Sequence, residues 1–340
     1  MRYPEFLPEK GIIGLVAPSF GVSGFPYESR FNHAKEKMER KGHTVVESEH
    51  LYGIVKAASC DPETRAREFM DMYKREDVDF LSSVAGGEVM CQMLEYVDFE
   101  ELKKSSPRFF MGMSDNTCLT YSLPVLCDVA SIYGYNFSGF YNKRWHRSFV
   151  ESYEIMRGQR FYQDSYPYYE KKSDSPCEPG HELDPFKLTK KSQHLSLSGH
   201  DEQFTGRLIG GCLDVLLELC GTKYDHSKEF AERYEDDGII WFLEACDLNV
   251  LGISRGLWTL KEAGWFKNVK GFIIGRPQLS DEMFGLTYED ALRDNLESLG
   301  VPVVYGCDFG HVAPSWTIIA GSVGTVELKG DVCRISYDLR

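Results

Sequence analysis

Short apolar runs alternate with amphipathic segments over the first third of the chain. Ile12 to Val16 is an apolar run closed by Ala17-Pro18-Ser19, the pattern of a buried strand and its loop. A helix is expected from Glu28 to Arg40, with Gly42 as its C′ glycine, and a second strand from His43 to Glu47. Asp61-Pro62-Glu63 has an N-cap aspartate, a proline at the first helical position and an acidic first turn, and predicts a helix to Lys74. Val78 to Val84 reads as a third strand ending at Gly86-Gly87, and a helix follows from Glu88 to Tyr96. Arg108 to Gly112 is the fourth strand, and the helix expected after Ser114 should stop or kink near Leu123, because Pro124 cannot continue its hydrogen bonding. This alternation predicts an α/β fold with a doubly wound, mainly parallel sheet. Ligands of such sheets bind outside the carboxyl ends of the strands, so the loops at Pro18-Ser19, Gly86-Gly87 and Ser114 should converge.

The pattern changes at Gly139. From there to Phe204 the regular alternation fails and Tyr, Lys, Asp, Ser and Pro crowd together, notably in Phe161-Tyr162-Gln163-Asp164-Ser165-Tyr166-Pro167-Tyr168-Tyr169. Two readings stand: a linker with substrate-facing loops, or a solvated linker whose aromatics pack on a neighbouring surface. Order returns at Thr205, where Gly206 and Gly210-Gly211 read as a glycine-rich turn opening a helix with Leu213, Leu216, Leu217 and Cys220 on one face, closed by Gly221. Strands are expected at Ile239 to Leu243, Phe272 to Gly275 and Val303 to Tyr305, with helices near Ile253 to Ala263 and Tyr288 to Leu299. The tail, Thr317 to Ala320, Val323 to Leu328 and Val332 to Tyr337, alternates like short β-strands. The expected organisation is an N-terminal domain over 1–138, a connecting region over 139–204 and a C-terminal mixed α/β domain over 205–340.

Composition narrows the function. A chain of 340 residues, 42% hydrophobic and 26% charged, is long enough for two globular domains. The net charge of −14 argues against a protein that grips phosphate backbones. No stretch has the length of a transmembrane helix, and Met1-Arg2-Tyr3-Pro4-Glu5 lacks the pattern of a signal peptide, so no membrane association and a cytoplasmic location are expected. The ten cysteines are scattered, mostly in apolar segments, and read as reduced thiols. There is no C-x-x-C pair, His181-Glu182 lacks the second histidine of a zincin helix, and the glycine-rich stretches have neither the Walker Lys-Ser/Thr pair nor G-x-G-x-x-G. Neither a metal nor a cofactor is expected.

Three residues carry the candidate chemistry. Gly112-Met113-Ser114-Asp115-Asn116 places a serine where an apolar run stops before a helix, as in a nucleophile elbow, although Asn116 stands where G-x-S-x-G has its second glycine. The alternative is that Ser114 or Asp115 merely caps the next helix. Glu244 and His311 also follow strand-like runs. A serine hydroxyl needs a base to attack, His311 can act as one near neutral pH, and Glu244 can fix its tautomer. Each also has a plain reading, as a strand-end carboxylate and as a buried structural histidine.

Taken together the motifs resemble the serine carboxypeptidase family that contains the LD-carboxypeptidases and the microcin C immunity peptidases (peptidase family S66). The resemblance rests on Gly14-Leu15-Val16-Ala17-Pro18-Ser19, Gly86-Gly87, Gly112-Met113-Ser114-Asp115-Asn116-Thr117, Gly206-Arg207-Leu208-Ile209-Gly210-Gly211, Gly221-Thr222, Leu243-Glu244 and Gly310-His311, in this order over nearly the whole chain. It implies an N-terminal α/β domain carrying Ser114 as nucleophile and a C-terminal domain supplying His311 as base and Glu244 as its partner. It further implies an oxyanion hole from the backbone N–H groups of Gly87 and Asp115, with Gly86 and Cys212 at the substrate, and a homodimer. The length and the aromatic-rich segment are more like the microcin-immunity type, which cleaves an aminoacyl amide on a modified adenylate. The LD-carboxypeptidases instead trim D-alanine from muropeptides. Three departures touch substrate recognition: Glu88-Val89 replaces an aromatic and a glycine, Cys212 replaces a common asparagine, and tyrosines, with Trp145 some distance away, replace a loop tryptophan. The expected function is a serine carboxypeptidase or amidase acting on a small peptide or aminoacyl-nucleotide-like substrate. The alternatives are an LD-carboxypeptidase of muropeptide recycling and a non-catalytic binder on the same scaffold.

Overall fold

The computed structural model describes residues 1–171 and 177–340 and divides into two compact units: Met1–Arg160 with Ser173–Phe186, and Phe161–Lys172 with Lys187–Arg340. The first unit carries β1 (Ile12–Val16), α1 (Tyr27–Arg40), β2 (Thr44–Glu47), α2 (Pro62–Lys74), β3 (Phe80–Ser83), α3 (Phe99–Lys104), β4 (Phe110–Gly112), α4 (Thr117–Ser122), β5 (Ser131–Tyr133) and α5 (Arg147–Met156). Its strands run parallel in the order β5-β4-β3-β1-β2, so the doubly wound parallel sheet is as expected. Central strands read as unbroken apolar runs because helices cover both faces, and Leu15, Phe80, Leu81, Phe110 and Met111 are accordingly buried. Helix α1 turns Phe31, Ala34 and Met38 inward at helical spacing. Helix α2 starts as its sequence requires, the Asp61 side chain accepting from the Thr64 N–H at 2.9 Å.

Two local expectations need correction, and a third is met. The segment expected as a helix from Glu88 is a 3₁₀ helix over Met90–Tyr96, whose first N–H is drawn to the Asp115 carboxylate. The α-helix after Ser114 ends at Ser122, as expected before Pro124, and a π-helical turn, Leu123–Cys127, carries the chain on to Asp128 in the left-handed region, φ 58°. Between 139 and 204 the chain forms α5, which buries Phe149, Tyr153 and Met156, an i, i+4, i+7 stripe that the surrounding polar residues obscured.

The second unit carries β6 (Tyr162–Asp164), β7 (Tyr168–Tyr169), β8 (Lys190–Lys191), β9 (Leu195–Ser196), β10 (Glu202–Cys212), α6 (Leu213–Leu219), α7 (Ser227–Arg233), β11 (Ile239–Glu244), α8 (Val250–Glu262), β12 (Val269–Gly275), α9 (Tyr288–Leu296), β13 (Val303–Cys307), β14 (Ile318–Ala320), β15 (Val323–Lys329) and β16 (Val332–Asp338). Its mixed sheet has the order β6-β16-β15-β10-β11-β12-β13-β9, parallel from β10 to β13 and antiparallel at both flanks. The glycine-rich stretch at Thr205–Cys212 is the end of β10, not a turn. A Cβ at Gly210 would overlap the Phe242 carbonyl, so this glycine lets β10 lie close against β11. Part of the tyrosine-rich segment is structural: β6 pairs with β16, Gln163 donates to the Thr317 carbonyl at 2.9 Å, and Tyr166 is buried.

Candidate active-site elements

In the first unit the polypeptide leaves β4 and turns sharply at Ser114, whose φ of 66° lies in the left-handed region that a side chain normally avoids. Such strain persists only where the surroundings fix it. Here the Asn136 carboxamide oxygen accepts from the Met113 N–H at 2.9 Å, and the Tyr133 hydroxyl accepts from the Ser114 N–H at 3.3 Å. The Asn116 amide donates to the carbonyls of Ala85 and Met113 at 2.9 and 3.1 Å and to Asn136 at 3.1 Å. Asn116 thus braces the turn at the position where a glycine was missing. A Cβ on Gly112 would come within 2.7 Å of the Asn116 Cβ, so the first glycine of the motif is required.

The three loops meet as expected. A Cβ on Gly86 would stand 3.1 Å from the Ser114 Cβ, and the Phe20 N–H donates to the Gly86 carbonyl at 3.0 Å. Gly87 has a φ of 156°, and a Cβ there would overlap the Ser19 hydroxyl. That hydroxyl makes a short hydrogen bond to Asp115 Oδ2, which also accepts from the Met90 N–H at 2.9 Å. Burial pushes the Asp115 carboxyl above its ordinary pKa, and the two hydrogen bonds oppose the shift.

In the second unit Glu244 ends β11 with its side chain wholly buried, and Oε2 lies 2.8 Å from His311 Nδ1 in the loop beyond β13. Two glycines make room: a Cβ on Gly310, at φ 98°, would come within 2.5 Å of Glu244 Oε2, and one on Gly275 within 2.8 Å of the Glu244 Cβ. Burial disfavours the imidazolium, but the Glu244 charge and hydrogen bonds to Cys246 and Glu244 outweigh it and hold the His311 pKa well above the ordinary histidine value. Cys212 closes the group. Its sulfur, a Glu244 oxygen and a His311 nitrogen lie within 4.8 Å of one another, and burial, then the carboxylates of Glu244 and Asp214, push its thiol pKa far up.

Sequence reasoning missed the supports. Tyr133 and Asn136 carry no motif of their own. Asp214, on α6, carries none either, and its carboxylate accepts from the N–H groups of Cys246, Asp247 and Leu248 at 3.1, 2.9 and 3.1 Å, fixing the chain just beyond Glu244. A cleft of about 490 Å³ in the second unit is lined in part by Tyr169, Lys190, Lys191, Arg276, Gln278 and Val312. The Arg276 guanidinium lies 4.6 Å from the Tyr169 ring centroid and pairs with the buried Asp308.

Residues 13–134 match the family model described as the LD-carboxypeptidase N-terminal domain, and residues 205–326 the one described as the LD-carboxypeptidase C-terminal domain. A Vibrio cholerae protein bearing the name "Putative carboxypeptidase" is 24% identical, the match covering 98% of each chain. An MccF-like protein from Bacillus anthracis has the same fold, with a TM-score of 0.84 at 21% identity over 99% of this chain and 100% of that one. So does the microcin C7 self-immunity protein MccF in complex with aspartyl sulfamoyl adenosine, with a TM-score of 0.81 at 21% identity over the full length of both.

Proposed function

This chain belongs to the S66 family of LD-carboxypeptidases, and from that premise we propose that Ser114, His311 and Glu244 act together as a catalytic triad that hydrolyses an aminoacyl or peptide amide near a substrate terminus. In this reading the Ser114 hydroxyl attacks the carbonyl while His311 Nε2 takes its proton, and Glu244 holds Nδ1–H and stabilises the imidazolium that forms. The oxyanion is received by the N–H groups of Asp115 and Gly87. The tetrahedral intermediate collapses to an acyl-enzyme as His311 returns the proton to the leaving amine. A water, deprotonated by the same histidine, then releases the acid and restores the serine. The triad itself supplies nucleophile, base and electrostatic stabilisation, so these steps call for no metal or cofactor.

The observation that carries the reading is Ser114 held at φ 66° on a turn braced by Asn116 and Asn136, a geometry that helix capping does not require. The cleft of the second unit supports the choice of substrate class. Its Lys190 and Lys191 suit an anionic linkage, which favours an aminoacyl-nucleotide-like substrate of the microcin-immunity kind over a muropeptide. The MccF structure with aspartyl sulfamoyl adenosine supports this choice by similarity of fold. Gly86 and Cys212 border the reacting groups, and we read the protein as a cytoplasmic homodimer.

The test is turnover of aspartyl sulfamoyl adenosine and of an LD-tetrapeptide by the wild type and by Ser114→Ala, with fluorophosphonate labelling in parallel. Turnover of the adenosine compound and loss of both activity and labelling in the variant are expected. Turnover of the tetrapeptide alone would assign muropeptide trimming, and saturable binding without turnover would make the protein a binder.

A further inference from the structure

Away from the reacting groups, three side chains of different chemistry meet at the edge of the first unit. His50 lies in the turn after β2, Cys60 just before the N-cap of α2, and Glu68 on α2 itself. A His50 ring nitrogen, the Cys60 sulfur and a Glu68 oxygen all lie within 4.8 Å of one another. The cysteine is buried, at 6% exposure, and the Glu68 side chain is 13% exposed, whereas the His50 ring is 38% exposed. His50 is tied to Glu68 twice, through Nδ1 at 2.5 Å and through its backbone N–H at 3.2 Å. No zinc-finger spacing joins these positions in sequence, which is why the sequence carried no metal signal.

We propose that His50, Cys60 and Glu68 form a zinc site that ties the 48–60 loop to helix α2. A thiolate, an imidazole and a carboxylate are the donors a borderline-soft ion such as Zn²⁺ takes, at about 2.0 to 2.3 Å each, and a thiolate disfavours Mg²⁺ and Ca²⁺. Tetrahedral bonds of that length set ligand atoms about 3 to 4 Å apart, within the reach of these three. The exposed His50 ring swings to open its close approach to Glu68. The thiol proton and the proton shared by Nδ1 and Oε1 leave to solvent as the ion takes their place. Water fills the fourth position on the exposed side.

The 48–60 loop is not isolated. The Ser59 N–H donates to the Ser19 carbonyl at 2.8 Å, and its hydroxyl donates to the Ala17 carbonyl at 2.7 Å. Ser19 in turn holds Asp115, next to Ser114. An ion at His50, Cys60 and Glu68 therefore stiffens the scaffold behind the serine turn without touching it.

The proposal is independent of the catalytic reading, and its test uses no turnover. The full chain, stripped with chelator and kept reduced, is titrated with Co²⁺ for thiolate-to-metal charge-transfer absorption, and with Zn²⁺ in competition with a chromophoric chelator. One equivalent with a thiolate band is expected. Cys60→Ser should abolish the band, and Cys60→Ser and His50→Gln should each weaken zinc binding at least about tenfold. Zinc should raise the Tm of the wild type, and at the same zinc concentration raise that of either variant by less. Cys212→Ser should keep both the band and the affinity. His50→Gln, on an exposed side chain, keeps the test decisive if loss of the buried Cys60 thiol impairs folding. Absence of a thiolate band, or unchanged affinity in His50→Gln, overturns the proposal. A band lost in Cys212→Ser but kept in Cys60→Ser also does so, by placing the ion beside Glu244 and His311.

Discussion

Nδ1 of His311 lies 2.8 Å from Oε2 of Glu244, and the carboxylate is wholly buried while the ring keeps 14% of its surface exposed. A buried carboxylate with one imidazole partner fixes the ring's tautomer and favours its protonated form. In the proposed triad, the contact that prepares the base therefore also sets the pH at which the base becomes available.

Because His311 must be neutral to accept a proton, kcat/KM should rise with pH through a pKa well above the ordinary histidine value. In Glu244→Gln the charge that raises this pKa is gone, so the acid limb should move to lower pH. The amide also favours the wrong tautomer by donating to Nδ1, and kcat should fall by about 10³ to 10⁴. The pH–rate profiles of the two proteins check this. An acid limb that stays in place would show that Glu244 does not govern the titration.

Gly310 and Gly300 separate crowding from backbone strain. Both have positive φ, 98° and 65°, but a Cβ on Gly310 meets Glu244 Oε2 at 2.5 Å, whereas one on Gly300 meets nothing within 4 Å. Gly300→Ala should cost about 1 to 2 kcal/mol in urea unfolding and leave kcat unchanged. Gly310→Ala should cost at least as much and lower kcat by about 10² as the carboxylate is displaced from the ring. Equal activity in the two variants would show that the Glu244 position tolerates displacement.

Much of this was legible in the sequence, for identifiable reasons. Unbroken apolar runs such as Ile12–Val16 and Ile239–Glu244 mark strands buried on both faces, and Asp61-Pro62 carries its own helix start. The residues at Ser114, Glu244 and His311 stood out because each follows such a run. What stayed hidden was long-range. Tyr133, Asn136 and Asp214 act through backbone groups that only the fold brings near, and no local pattern encodes that. At Gly210 the sequence misled, because a glycine that permits close strand approach is written like one that makes a turn. At α5 the polar neighbours hid a regular apolar stripe.

Two arginine–aspartate pairs should differ sharply in worth. Asp308 is fully buried and is held by Arg276, by His194 Nε2 at 2.9 Å and by the Tyr166 N–H at 2.8 Å. Arg276→Met removes the guanidinium, leaves the buried carboxylate to His194 and the Tyr166 N–H, and should destabilise the protein by about 3 kcal/mol. Arg334 pairs with Asp164 at 2.6 Å, but its side chain is 48% exposed, and Arg334→Ala should change stability by only about 0 to 1 kcal/mol. Urea midpoints for the two variants provide the comparison. A loss below about 1 kcal/mol in Arg276→Met would mean that the carboxylate finds another partner or protonates.

Burial of Asp115 gives a pH-dependent stability effect of opposite sign to that of an ordinary surface carboxylate, and the Ser19 contact opposes it. Burial raises the Asp115 pKa in the folded state above its unfolded value, so the folded protein holds this proton more tightly. The group's contribution is therefore fully present below the unfolded carboxyl pKa, and stability is lost as pH rises through the raised folded value. The Ser19 hydroxyl, hydrogen-bonded to the carboxylate, limits that loss. Removing it in Ser19→Ala should raise the folded pKa further and cost about 1 to 3 kcal/mol once Asp115 is ionised, with a smaller cost where it is protonated. Urea midpoints of wild type and variant, taken from acid to mildly alkaline pH, should therefore diverge as pH rises. A constant difference across that range would mean that the hydroxyl contributes packing alone and does not act on the Asp115 charge.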